Sequence, residues 1–271
     1  MKLYRIMSLA LALFFTNACG NSRSGQVDST SQLQSLTGFP EGTTWPCQGY
    51  TLSPDAQDAR CLQLAKAGGT SHPAIEVYVE FSGFNSAQLN KAKAALDEFQ
   101  RHWNEMRNQA DDPSESEFGK CLKATVNNRM FATESVYPDF ARSLESGISF
   151  AVLSVQYMFE YHARTRTPAR ISASARDGIM GEAYVGKEGT AESPAEISLS
   201  TQYLDKDDKT PLKFAGTIFH ELLHRKGYQH PDTGYDDPEY SASLVVASGV
   251  CVRSYNSVSA ALFGGENIKD D

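Results

Sequence analysis

The stretch His220-Glu221-Leu222-Leu223-His224-Arg225-Lys226-Gly227-Tyr228-Gln229-His230 decides how this chain is read. It continues an apolar run, Pro211-Leu-Lys-Phe-Ala-Gly-Thr-Ile-Phe219, that predicts a helix opening after the acidic turn Asp205–Asp208. On that helix His220 and His224 project from one face, one turn apart. Two imidazole nitrogens so placed can hold one tetrahedral zinc ion. Glu221 stands beside the first of them, within reach of a water on the metal without being a ligand itself. Gly227 falls where the helix must end, because glycine takes up the left-handed backbone at little cost. The chain can then turn back and offer His230 as a third ligand. Three protein ligands leave a fourth position for water, which is the pattern of a catalytic rather than a structural zinc. Chance is a weak explanation: five fixed positions, three of them histidine, should coincide in about one chain in 10⁵ of this size.

The residues before this helix predict a mixed domain. Ile75-Glu-Val-Tyr-Val-Glu-Phe81 alternates as a strand does. Asn85 and Gln88 have the spacing of a capping box, and Leu89, Ala92, Leu96, Phe99, Trp103 and Met106 then follow a helical stripe. Asp111–Glu117 reads as an acidic loop, and Phe140–Tyr161 as a second long helix. Three strand signals, Ala169–Ala175, Gly181–Val185 and Ala195–Leu204, are separated by Gly, Ser and Pro turns. The order of elements predicts an α+β fold with a mixed sheet and two long helices, one carrying the zinc motif.

Composition narrows the function. The chain has 271 residues, 41% of them hydrophobic, which is enough for a real core and excludes a wholly disordered protein. Its net charge of −8 argues against nucleic acid as a partner. Residues 1–18 carry Lys2 and Arg5, then the apolar run Ile6–Phe15, then Ala18, and read as a secretory signal peptide. Their removal takes away two positive charges and no acid, so −8 becomes −10. Cys19 follows directly, in a context that resembles a bacterial lipoprotein signal, although Thr16 stands where such signals usually have leucine. Cleavage after Ala18 without lipidation is the alternative. Residues 19–40 are rich in Ser, Gln and Gly and read as a flexible, lipid-anchored tether. These features place the protein outside the cytoplasm, in the bacterial cell envelope or secreted, touching a membrane only through a lipid. With Cys19 lipidated, Cys47, Cys61, Cys121 and Cys251 remain for two disulfides in an oxidising compartment. Three pairings are possible, and Cys47–Cys61 with Cys121–Cys251 is favoured.

The run His220–His230 matches the metzincin signature H-E-x-x-H-x-x-G-x-x-H at every fixed position. The resemblance implies a zinc metallopeptidase over residues 41–271, with a small C-terminal subdomain and a peptide or protein substrate; the sequence does not set the oligomeric state, and a monomer is the expectation. It implies that His220, His224 and His230 bind Zn²⁺ and that Glu221 is the general base and acid. It also makes Gly181–Val185 the edge strand along which substrate lies, through Ala183, Tyr184 and Val185. One departure stands out: metzincins carry a methionine in a turn below the zinc, and this chain has no methionine after Met180. Val245–Cys251 falls where that turn is expected. Tyr235, Tyr240 or Tyr255 could assist the metal, and spacing does not choose among them. A zinc-binding surface lipoprotein without proteolysis, and a hydrolase of cell-wall peptide cross-links, remain alternative functions. His72, His102 and His162 lack a partner at ligand spacing and read as ordinary surface or helix-end residues. Trp103 reads as core, Asp205, Asp207 and Asp208 as a solvated turn, and Cys47 as a disulfide partner rather than a thiolate masking the zinc.

Overall fold

The alternating stretch at Ile75 forms the second strand of a five-stranded mixed sheet. The computed structural model describes Cys47, Tyr50 and residues 52–66, 74–126, 143–184, 194–231 and 237–254, all within one unit spanning residues 42–271. The signal peptide and tether assigned to residues 1–40, including Cys19, lie outside the described residues, as do His72, Val185, Tyr235 and Tyr255. In chain order the strands are β1 (Asp58–Leu64), β2 (Ile75–Ser82), β3 (Ala169–Ser174), β4 (Gly181–Glu182) and β5 (Glu196–Ser200). Their order across the sheet is β1-β2-β3-β5-β4. β3 lies parallel to both β2 and β5, while β1 and β4 run antiparallel at the two edges.

The helices are α1 (Ser86–Gln109), α2 (Glu117–Thr125), α3 (Leu144–Thr165), α4 (Thr201–Leu204), α5 (Pro211–Arg225), α6 (Pro238–Ser241) and α7 (Leu244–Ser254). α1 starts with the expected capping box: Asn85 accepts from the Gln88 N–H, and the Gln88 side chain accepts from the Asn85 N–H. Its predicted stripe is buried from Ala92 to Met106, and Trp103 is core. Phe99 and Trp103 meet Phe159 of α3 and Phe219 of α5 with ring centroids 5.9–6.3 Å apart. One apolar core therefore fixes the motif helix against the two longest helices.

Several expectations need correction. The strand read over Ala195–Leu204 stops at Ser200, and Thr201–Leu204 is a helical turn. Alternation ends with Leu199, and the Asp205 N–H bonds the Thr201 carbonyl. Gly181–Val185 is a strand only at Gly181–Glu182. Tyr184 is 85% exposed, and its carbonyl accepts from Arg225 Nη1 at 2.9 Å instead of extending the sheet. Val245–Cys251, expected as a turn, lies within helix α7. Ser243 Oγ caps this helix by accepting from the Val246 N–H, and its apolar residues enter the main core rather than a separate layer. β1 and α2 had not been anticipated.

Cys47 is bonded to Cys61 and Cys121 to Cys251, the two favoured pairings, with Cα–Cα distances of 5.5 and 5.8 Å. The first sits in a small apolar cluster with Tyr50 and Tyr78. The second ties α2 to α7.

His102 and His162 are not surface residues, being 4% and 0% exposed. His162 follows Phe159 on the buried stripe of α3 and staples the helix end to the sheet. Its Nδ1 donates to the Thr167 carbonyl at 3.0 Å, and its Nε2 accepts from the Ala195 N–H at 2.8 Å. Burial holds its pKa below the ordinary histidine value, outweighing the opposing pull of the Thr167 carbonyl and Glu196. A protonated Nε2 would turn a hydrogen toward another donor. The folded pKa lies below the unfolded one, so this stability is complete above about pH 6.5 and is lost as the pH falls through and below that value. We expect the melting temperature to drop between pH 7 and 5, and His162→Gln to flatten that slope. Parallel pH profiles for the two proteins would contradict the assignment.

Arg107, near the end of α1, is fully buried, and none of its guanidinium nitrogens has a hydrogen-bond partner among the described residues. A buried, unsatisfied cation costs more than an apolar side chain of similar shape. Arg107→Met is expected to stabilise the fold by about 1–3 kcal/mol in a denaturant titration; a loss of that size would show a missing partner.

Candidate metal centre

α5 begins with Thr210, whose side chain accepts from the Lys213 N–H, and Pro211 in the first turn. It ends in a Schellman motif: the Tyr228 N–H bonds the Leu223 carbonyl at 3.1 Å and the Gly227 N–H bonds the His224 carbonyl at 2.9 Å. Gly227 has φ = 91°, as the closing position of that motif requires. Buried Tyr228 then anchors the returning chain, which carries His230 back across the helix face.

The three motif histidines converge. One ring nitrogen from each lies within 4.8 Å of the others, and His220 Nε2 is 3.1 Å from His224 Nε2. Among the described residues this is the only group of three or more His, Cys, Asp or Glu side chains close enough to share a metal. Zinc–nitrogen bonds of about 2.0–2.1 Å in a tetrahedron place ligand atoms about 3.3 Å apart, so small ring rotations would satisfy the ion. The outer nitrogens set the tautomers. His224 Nδ1 lies 2.8 Å from the Tyr228 carbonyl, and His230 Nδ1 lies 3.4 Å from that of Pro231. A carbonyl only accepts, so these nitrogens carry the hydrogen and Nε2 carries the lone pair. The ring of His220 is hydrogen-bonded to the backbone of Val245 on α7. Burial is the main reason that His224 is pushed down to about 4 and His220 also well below its ordinary value. These two rings are thus held toward the neutral form, the one that binds metal. The donor set fits a zinc ion.

Glu221 is 4% exposed and lines the same cavity, of about 440 Å³. Burial, with a smaller contribution from Glu182, raises its carboxyl to about 8 in the metal-free protein. β4 lies directly over it: a Cβ added to Gly181 would come within 2.9 Å of Glu221 Oε1 and 2.5 Å of Thr217 Cγ2. The lack of a side chain at Gly181 thus lets the edge strand come close to Glu221. Below, α5 and α7 cross at Gly216 and Gly249, where a Cβ on Gly216 would collide with the Gly249 carbonyl.

Of the substrate-strand residues expected from the sequence, Ala183 lines the cavity, whereas Tyr184 does not. Among the three tyrosines left open, Tyr240 lines the cavity and meets the His230 ring with centroids 4.6 Å apart. Gly216, Thr217 and Arg253 belong to the site and were not picked out from the sequence, while Gly181 and Gly249 entered the reading only as members of the segments Gly181–Val185 and Val245–Cys251. The Gly216–Gly249 crossing joins residues 33 positions apart, and no local pattern reports it. The described residues include no helix long and apolar enough to cross a membrane. The chain matches no family model, no curated protein and no solved structure with which it was compared.

Proposed function

We propose that this protein is a zinc-dependent peptidase with a metzincin-like arrangement of its site. The observation that carries the reading is the convergence of three imidazoles, two with Nδ1 committed to carbonyls, beside buried Glu221 in one cavity. His220, His224 and His230 would hold the ion. When bound, zinc supplies activation of a water molecule and polarisation of the scissile carbonyl. Glu221 takes a proton from the attacking water and returns it to the leaving nitrogen. β4 is the terminal strand of the sheet and offers backbone N–H and C=O groups to an extended peptide, while Gly181 lets the strand itself lie close to Glu221. Two disulfides in an acidic chain support an exported setting, with Cys19 as the proposed lipid site.

The test is turnover by the purified protein on a library of extended peptides, run alongside cell-wall peptide fragments. We expect peptide cleavage that a chelator abolishes and added zinc restores. Cleavage of the wall fragments alone would move the substrate to cell-wall cross-links. Zinc binding without any hydrolysis would overturn the enzymatic reading in favour of a binding protein.

A further inference from the structure

The edge strand beside the metal centre is tied to α5 by a side chain that the proposed chemistry does not use. β4 pairs with β5 at Gly181 with Leu199 and Glu182 with Ser198, so Ala183 and Tyr184 lie beyond the ladder. Thr217, Glu221 and Arg225 are spaced four apart and therefore share one face of α5. Gly181 sits over Thr217 and Glu221. Half-buried Arg225, in the last turn, reaches the far end: its Nη1 donates to the Tyr184 carbonyl at 2.9 Å. Its Nε donates to the Pro194 carbonyl, also at 2.9 Å, just ahead of β5. The edge segment Gly181–Tyr184 thus runs along the helix face that carries Glu221. A cation in the last turn of a helix ordinarily serves the helix dipole and the helix's own last carbonyls. Arg225 instead gives two donors of one rigid guanidinium to carbonyls on two other segments.

We propose that Arg225 is the positioning residue of the substrate edge: it clamps the outer end of β4 over the motif helix, so that an extended peptide meets a strand already in place. In its substrate half the proposal rests on the peptidase reading; the clamp itself does not. β4 is two residues long and has β5 as its one strand neighbour, so pairing alone gives Tyr184 little support. Bonds from a charged donor are the stronger kind, and Arg225 supplies them where the ladder stops. Without them a peptide has to order the strand end as it binds, which lowers its affinity. The effect therefore depends on reach. A ligand that touches only the metal does not feel it, whereas a peptide lying along Ala183 and Tyr184 does.

Two measurements on the full-length protein, supplied with zinc, test the clamp and its consequence separately. Hydrogen exchange in Arg225→Gln should run about 10-fold faster than in wild type at residues 181–184 and stay unchanged over Ile75–Ser82. Binding is measured on a Glu221→Gln background with the tightest-binding member of a labelled hexapeptide library. Adding Arg225→Gln should weaken that peptide about 10-fold and leave acetohydroxamate, which reaches only the ion, unaffected. With Glu221 intact, KM for the hexapeptide should rise while kcat holds, and Arg225→Lys should recover part of the loss. Unchanged exchange at 181–184 would overturn the proposal, as would faster exchange throughout the chain. Equal weakening of hexapeptide and acetohydroxamate, or hexapeptide affinity that ignores Arg225, would overturn it as well. Faster exchange at 181–184 in a protein whose wild type neither binds nor cleaves any peptide would uphold the clamp and count against the peptidase reading alone.

Discussion

Glu221→Gln should retain its metal and lose about 10²–10⁴-fold in turnover, the usual worth of a positioned general base. The substitution keeps the shape of a side chain that packs against Gly181, so the contact between α5 and β4 has no steric reason to change. It leaves His220, His224, His230 and the carbonyls behind His224 and His230 untouched. It removes only the ability to take up and return a proton. Burial already makes this position costly for a charge in the metal-free protein, where the carboxyl is raised to about 8, so a neutral amide should not destabilise the fold. Single-turnover rates and bound metal, measured on the same preparations, check both halves. Turnover within threefold of wild type would remove Glu221 from the chemistry.

Replacing Cys121 and Cys251 together by serine should cost about 4–5 kcal/mol of stability and weaken zinc binding as well. The bond closes a separation of 130 residues, and loop entropy of the unfolded chain grows with that length. It also fixes α7, whose residues support the site from below. Val245 bonds the His220 ring, Val246 and Gly249 line the cavity, and Gly249 meets Gly216. Loss of an outer partner of a ligand typically weakens metal binding by about 10–100-fold. The Cys47–Cys61 pair is the internal control. It spans only 14 residues and lies in the Tyr50–Tyr78 cluster, so its removal should cost about 3 kcal/mol and leave zinc affinity unchanged. Denaturant titrations and competitive zinc titrations of the two double variants separate these outcomes. Equal zinc affinity in both would show that α7 does not brace the site.

What could be read from the sequence was what lies within a few residues of itself. The i, i+4 histidines, the glycine that closes α5 and the stripe from Ala92 to Met106 are local patterns, and each has its expected place in the structure. Counting, once Cys19 was set aside for lipid, left two disulfides and three pairings, and the short loop between Cys47 and Cys61 favoured the pairing that is present. β1 was missed because Asp58–Leu64 mixes exposed Arg60 and Gln63 with a cysteine and shows little apolar alternation before Leu62. β5 was drawn too long because Thr201 and Tyr203 suit a strand, while the Thr201–Asp205 hydrogen bond bends them into a turn. α7 was read as a turn by resemblance, although Leu244–Val252 is an apolar run with a serine cap ahead of it. The helix crossing at Gly216 and Gly249, the approach of Gly181 to Glu221 and the position of Arg253 depend on contacts between distant segments. His162 was read as a surface or helix-end residue; it does lie in the last turn of α3, but a lone histidine carries no sign of the two backbone groups that bond its buried ring.

The central claim is that His220, His224 and His230 hold one zinc ion, and metal analysis of the purified protein tests it most directly. About one zinc per chain is expected in wild type and in Glu221→Gln, and none in His224→Ala, which removes the ring held between Tyr228 and the other two ligands. Wild-type protein that contains no zinc and takes none up on titration, or His224→Ala that binds as much as wild type, would contradict it.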